Sequence, residues 1–375
     1  MDLLRRLRED TALREVLVLF LSSRLLILLI GRLSPLVIAK GRWFNDFAGR
    51  LPVFDPFYRW DAGWYMLIAE GGYSYTPGEA SSVQFFPLYP LLAKVLAPFA
   101  GGVLTAGYLT SNAALLLASI YLYRLVKEDF SPETAKKAVL FMLISPASFF
   151  FSIFYTEGLF LMLTVSSLYY ARRGRWFVSS ALGFLLSLTR PVGVLISVPL
   201  AIEYLGLKLT GRGFEARGKV GADALNILLV PLGLLSYMGY LHLRFKDALA
   251  FVHTRAAWGM QFTPVFTTLS NLRYTAFYNA VFLGSVAAAA LLTAYMLKVK
   301  LRPSYVVYSC LLLFVYLSTG IMDAIIRYVS SIFPLYISLS LLAERNRILD
   351  VPLTLASAMF LALFTILFAN GYWFP

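Results

Sequence analysis

Asp61 stands between two tryptophans, in Arg59-Trp60-Asp61-Ala62-Gly63-Trp64-Tyr65. A carboxylate among aromatic side chains at the edge of an apolar phase is placed to take a proton from a sugar hydroxyl while a lipid-bound donor presents its phosphate. The plainer reading of the same residue is a helix cap. Positions 62–70 read as a short amphipathic helix, with Asp61 as its N-cap and Gly71 as its stop. An aspartate in front of a helix caps more often than it catalyses, so the local pattern leaves both roles open.

Three further charged groups have spacing that suits chemistry. Glu157, in Tyr155-Thr156-Glu157-Gly158, opens an apolar run. A helix dipole favours an acid there, and acceptor binding or support of Asp61 are the functional readings. Arg190, in Thr189-Arg190-Pro191, lies between two short apolar runs. Its planar guanidinium suits a phosphate, and pairing with Glu157 is the competing use. Asp323 and Arg327 are four residues apart, as on one helical face, so an ion pair between them is the default, with Arg327 a second candidate for a phosphate. Arg24 interrupts the first apolar run and is expected to snorkel or to pair internally. His253 and Arg255 lie beside Trp258, and with only two histidines in the chain a histidine metal site has little support. The chain has no Gly-rich phosphate loop, HExxH or GxSxG, which removes the kinase-like, zinc-protease and serine-hydrolase readings.

The elements that must position these residues follow from composition. Of 375 residues, 59% are hydrophobic and 14% charged, more apolar surface than a soluble domain can bury. Apolar runs fall at 16–38, 103–123, 138–151, 158–171, 176–189, 192–205, 224–241, 274–297, 304–319, 328–343 and 351–370. This predicts an all-α polytopic membrane protein of about 11 transmembrane helices in one domain, 1–375. The first run lacks a small-residue cleavage pattern and is expected to be an uncleaved span. Several middle runs of about 14 residues fall short of the ~20 a straight span needs, so they must be buried among neighbours.

The formal charge of +13 is not a nucleic-acid signature, because 20 of the 33 basic residues sit in short segments at alternate span ends. These are Arg5, Arg6, Arg8 and Arg14; Arg124, Lys127, Lys136 and Lys137; Arg172, Arg173 and Arg175; Lys208, Arg212, Arg217 and Lys219; Lys298, Lys300 and Arg302; Arg345 and Arg347. They orient the chain with its N-terminus in the cytoplasm. Asp61, Glu157, Arg190 and Arg327 then fall on the opposite side, within or beside two long outer loops, 39–102 and 242–273. In the first loop, 84–98 is apolar but broken by Pro87, Pro90 and Pro98, which places it at the interface, while the acids Asp46, Asp55, Asp61, Glu70 and Glu79 crowd the same loop. The lone Cys310 rules out an intramolecular disulfide.

The strings WDAGWYMLIAEGGYSY, QFFPLYPLL, SPASFFFSIFYTEGLF and LTRPVG, with Ser23-Arg24 in the first span, resemble the PIG-V family, the GPI mannosyltransferase 2 enzymes. The likeness runs from about Ser22 to Gly193 and beyond that is mainly topological. It implies a GT-C fold with a long first extracytoplasmic loop that carries short interfacial helices. It also implies a polyprenyl- or dolichyl-phosphate mannose donor and a glycolipid or lipid-linked glycan acceptor, with no metal or other cofactor. Asp61 matches the family's Trp-Asp motif as the catalytic base of an inverting transfer, and Trp60, Trp64, Glu157, Arg190 and Arg327 become substrate-binding candidates. The implied location is the plasma membrane of a prokaryote or the endoplasmic reticulum of a eukaryote, among membrane lipids, with a small accessory subunit left open. A transporter or lipid flippase is the alternative, disfavoured because the two halves of the chain do not resemble each other.

Overall fold

The computed structural model describes residues 11–44, 55–210 and 221–372. Arg5, Arg6, Arg8, Arg212, Arg217, Lys219 and Asp46 lie outside the described residues. The fold is all-α, and the described residues contain no strand.

The chain opens with α1 (Thr11–Leu33). The first outer loop then carries α2 (Asp61–Gly71) and α3 (Leu88–Ala100). Next come α4 (Val103–Lys127), α5 (Pro132–Leu143), α6 (Glu157–Ala171), α7 (Trp176–Ser187), α8 (Ser197–Thr210) and α9 (Leu229–Phe245). The second outer loop holds two short helical segments, Ala250–His253 and Val265–Ser270, and a 3-10 turn at Thr254–Trp258. The C-terminal part is α10 (Ala276–Lys298), α11 (Pro303–Leu317), α12 (Ile325–Ser330), α13 (Pro334–Arg345) and α14 (Arg347–Ala369).

Five stretches are long and apolar enough to cross a bilayer: Ala12–Leu36, Val103–Lys127, Ala222–Phe245, Ala276–Lys298 and Arg347–Ala369. Large apolar side chains on them face outward, including Leu25, Leu291, Val351 and Met359, as a hydrocarbon solvent permits and water does not. The other predicted runs give shorter elements. Helix α6, of 15 residues, is buried along nearly its whole length, so it is shielded by neighbouring helices. The runs 192–205 and 224–241 begin as 3-10 turns, Pro191–Ile196 and Ala222–Leu228, and two other runs are broken outright. The run 138–151 breaks after Leu143, before Pro146, and resumes as a 3-10 turn at Ser148–Phe151. The run 328–343 is split between α12 and α13, which starts at Pro334. The expected continuity fails where a proline withdraws a backbone donor.

Helix α6 packs on α4 and α7, and α7 packs on α9. The α6–α7 contact is locked by a reciprocal pair of bonds: Ser167 Oγ donates to the Ser179 carbonyl at 2.9 Å and Ser179 Oγ to the Ser167 carbonyl at 2.8 Å. Small residues allow backbones this close, and hydrogen bonds between helices supply cohesion that hydrophobicity cannot provide in lipid.

The ends of the helices differ. At one end Arg172 donates to both oxygens of Asp129 at 2.7 and 2.8 Å, and Arg302 does so at 3.0 Å. At the other end lie the starts of α2 and α6, the end of α7, and α12. Two of the basic segments, at Arg172 and Arg302, thus meet at the end of α6 opposite Glu157.

The interfacial expectation for 84–98 takes the form of α3, whose 13 residues extend ~20 Å at 1.5 Å per residue, too short to span. Leu91, Val95 and Phe99 project outward from it.

Candidate active site

Helix α2 begins at Asp61 itself rather than at Ala62, and Gly71 belongs to its last turn. Gly72, at φ +83°, follows as the stop. Asp61 is therefore not the N-cap. That position is held by Trp60, with φ +47° and ψ −111°. A bulky residue in this region is strained, and such strain persists only where the surroundings over-determine it. Here the Trp60 ring packs edge-on against Phe368 at 4.6 Å, and the preceding Arg59 donates to the Ala369 carbonyl at 2.8 Å. The buried Tyr155 hydroxyl accepts the Asp61 N–H at 3.2 Å and donates to the Arg59 carbonyl at 3.0 Å. The Asp61 backbone is thus tied to the residue two positions before Glu157.

Freed from capping, the Asp61 carboxylate turns to Arg327, whose Nη1 donates to Oδ2 at 2.6 Å. Arg327 Nε also lies 3.2 Å from Glu157 Oε1, and Arg190 Nη1 lies 3.3 Å from the same oxygen. Acid and base alternate in the order Asp61, Arg327, Glu157, Arg190. The two contacts to Glu157 satisfy distance but not alignment: both Glu157 oxygens, Arg327 Nε and Arg190 Nη1 are buried without a hydrogen bond. Ion pairing without directed hydrogen bonds compensates the charge of Glu157, which is 1% exposed, yet leaves donors uncommitted.

Local sequence explains how each arginine arrives. Pro191 disfavours the helical region for the residue before it, and Arg190 is extended, at φ −155° and ψ 147°. Arg327 sits in the six-residue α12, its guanidinium 5.3–5.6 Å from the ring centres of Phe150, Tyr155 and Tyr328. The expected Asp323–Arg327 ion pair does not form, because Asp61 and Glu157 take the guanidinium instead. Arg24 pairs internally, as expected, but with backbone: it donates to the Leu143 and Ser148 carbonyls at 2.6 and 2.9 Å and to the hydroxyls of Ser23, Ser148 and Ser152.

These groups border a cavity of about 480 Å³, within the usual range for small-molecule sites, lined by Trp60, Asp61, Trp64, Arg190 and Arg327. The two outer loops close over it. Ser81 N donates to Thr254 Oγ1 at 3.1 Å, and the rings of Trp64 and Trp258 meet at 5.8 Å. Burial, reinforced by the charges of Asp61 and Glu157, holds the Tyr65 phenol above its usual range, so it stays protonated at neutral pH.

The Mannosyltransferase (PIG-V) family model matches residues 14–236, well over half the chain and every segment of this site except the Arg327 region and the second outer loop. The chain belongs to the PIG-V mannosyltransferase family. Two similar proteins are the GPI alpha-1,6-mannosyltransferase 2 enzymes of Mus musculus, 36% identical over 33% of this chain, and Homo sapiens, 29% identical over 46%. Those matches cover 27% and 38% of the relatives, so the chain spans less than half the length of either. Among solved structures, the Archaeoglobus fulgidus oligosaccharyltransferase AglB, in complex with an inhibitory peptide and a dolichol-phosphate, aligns over 98% of this chain and 56% of its own, with TM-score 0.51 and 14% identity. A crystal structure of the A. fulgidus enzyme with Zn and sulfate aligns over 94% of this chain and 53% of its own, with TM-score 0.50 and 14% identity. At that identity the likeness shows the fold alone, a GT-C architecture.

In this PIG-V family member the structure brings all six sequence-derived candidates together: Trp60, Asp61, Trp64, Arg190 and Arg327 line the cavity, and Glu157 lies behind it. His253 points elsewhere, its Nδ1 2.7 Å from Asp247 at the surface. Sequence reasoning missed Gln84 and Asp323 as cavity residues and passed over Arg255, which also lines it. Gln84 carries no motif beyond its place in QFFPLYPLL, and the helical-spacing rule assigned Asp323 to Arg327.

Proposed function

We propose that this chain is a glycosyltransferase. It moves a mannosyl or related hexosyl residue from a polyprenyl- or dolichyl-phosphate-linked donor to a glycolipid or lipid-linked glycan on the extracytoplasmic face. The reading makes Asp61 the general base of an inverting reaction without a metal. The observation that carries it is the Asp61 carboxylate itself: it opens a cavity-lining helix, it is not consumed by capping, and it lies 2.6 Å from an arginine that lines the same cavity.

In the proposed step the acceptor hydroxyl oxygen bonds to the anomeric carbon from the face opposite the phosphate. The carbon–oxygen bond to phosphate breaks, its electron pair leaves with the polyprenyl phosphate, and Asp61 takes the hydroxyl proton. One carboxylate suffices, since no covalent intermediate forms and a phosphate needs little acid assistance to depart. Arg327 and Arg190, which line the same cavity, receive the leaving charge. Arg327 holds the Asp61 carboxylate until a phosphate arrives and draws the guanidinium away, which frees the oxygen to meet the acceptor hydroxyl, so that activation follows donor binding.

The test uses purified protein in proteoliposomes with labelled polyprenyl-phosphate hexoses. Asp61→Asn is expected to fold and to lose transfer by about 10²- to 10⁴-fold, the span of general-base catalysis. Wild-type turnover by that variant ends the assignment of the base, and a wild-type protein inert toward every polyprenyl-linked donor ends the transferase reading.

A further inference from the structure

Two residues that line the cavity each hold an acceptor atom with no protein donor. Asp323 Oδ1 and Gln84 Oε1 are both buried without a hydrogen bond, and both residues line the space that Asp61 lines. The other side-chain oxygens in the same condition among the described residues, those of Asp55, Tyr123, Glu157, Ser180, Asn279 and Asn370, belong to residues that do not line this cavity. The two acceptors come from distant parts of the chain, Gln84 from the 3-10 turn Ser82–Gln84 of the first outer loop and Asp323 from the segment between α11 and α12. The Gln84 amide nitrogen reaches only Met260 Sδ at 4.0 Å, so the carboxamide offers a donor as well.

A buried acceptor without a partner costs about 1–3 kcal/mol, more when charged, and persists where a ligand completes it. The ligand chemistry can be narrowed. An anion is disfavoured at Asp323 by its carboxylate, and a cation is disfavoured by the three arginines, Arg190, Arg255 and Arg327, that line the same cavity. A neutral polyhydroxyl group suits both fields: its hydroxyls donate to Asp323 and Gln84 and accept from the Gln84 amide. Trp64 and Trp258, which also line the cavity, offer apolar faces to the ring. Resting on the transferase reading, we infer that Asp323 and Gln84 form a hydroxyl-binding subsite that orients one sugar ring of the substrates, with the phosphate held apart from it by Arg190 and Arg327.

The ring belongs to either the donor or the acceptor, and a deoxy series separates them. Transfer kcat/KM is measured for wild type, Asp323→Ala and Asp323→Asn with donors and acceptors each lacking one ring hydroxyl. One analogue is expected to cost wild type about 10- to 100-fold, the range for a hydrogen bond to a charged group, and to cost Asp323→Ala nothing further. Asp323→Asn, which keeps the shape and one oxygen, is expected to lie between. Gln84→Ala should show a smaller loss, coupled to the same ring. If every deoxy analogue costs wild type and Asp323→Ala equally, the corner holds water only and the subsite is withdrawn.

A second readout does not need turnover. Octyl mannoside and its monodeoxy forms are titrated against tryptophan fluorescence in wild type and Asp323→Asn. A binding difference of tenfold or more that vanishes with one deoxy form supports the subsite, and equal binding overturns it. A wild-type protein that binds with this signature yet transfers nothing sinks the transferase reading while leaving the subsite standing.

Discussion

Arg327 has two carboxylates within reach and one of them is the proposed base, so substitutions around it separate charge from geometry. Arg327→Lys keeps the charge but replaces a planar fork by a single compact donor that cannot serve both Asp61 and Glu157. The expected result is a fall of about 10- to 100-fold in kcat/KM with the fold retained, since a charge-assisted contact carries roughly 1.5–3 kcal/mol. Glu157→Gln is the more telling change. It removes one negative charge from between two arginines, so Arg327 settles more firmly on Asp61 and both arginines present a stronger field to a phosphate. Steady-state kinetics should show kcat falling while KM for the donor holds or drops. A raised KM for the acceptor with kcat unchanged would instead return Glu157 to acceptor binding.

At the scale of elements, the site depends on two backbone interruptions and on what holds them. The break between α5 and α6 delivers Tyr155 and Glu157, and Arg24 staples it from α1 by spending its guanidinium on the Leu143 and Ser148 carbonyls and nearby hydroxyls. Arg24→Met takes the side-chain donor from the buried Leu143 carbonyl, an expected loss of roughly 1–3 kcal/mol from one unsatisfied group. Thermal unfolding in detergent should show the lower stability, with transfer lost in parallel. The second interruption carries Arg190. Gly193 packs so closely there that a Cβ would lie 2.3 Å from the Leu186 carbonyl oxygen. Gly193→Ala must move the 3-10 turn Pro191–Ile196 or the end of α7, at a cost of about 1–3 kcal/mol for overpacking, and it should lower transfer more than stability because Arg190 moves with the turn. A variant with wild-type activity would show that the position of Arg190 is not critical.

For the whole molecule, the arrangement requires that the Asp61 end of the bundle and the basic end face opposite compartments. Cysteine labelling tests this once the native Cys310 is replaced by serine. Glu79→Cys, in the first outer loop, should react with a membrane-impermeant maleimide added to intact cells. Lys298→Cys, at the far end of α10, should react only after permeabilisation. The opposite pattern would place the cavity in the cytoplasm, where the proposed lipid-linked donor is not expected.

What the sequence determined by itself was the solvent and the cast of residues. An apolar composition with basic residues at alternate span ends dictates helices in lipid, and short motifs pointed to Asp61, Glu157 and Arg190 because each sits beside its own structural signal. Local rules went wrong where a distant partner outbid a near one. Asp323 was assigned to Arg327 by helical spacing, but Asp61, 266 residues away, takes that arginine, since the tertiary contact brings a carboxylate to 2.6 Å. By local pattern Asp61 is more readily a cap than a catalyst, and it is packing that puts Trp60 in the cap position and leaves the Asp61 carboxylate on the cavity lining. Only the folded chain decided which acids share which arginines and which acceptors remain unanswered. Ion pairs and buried hydrogen bonds depend on positions in space, which no single segment specifies.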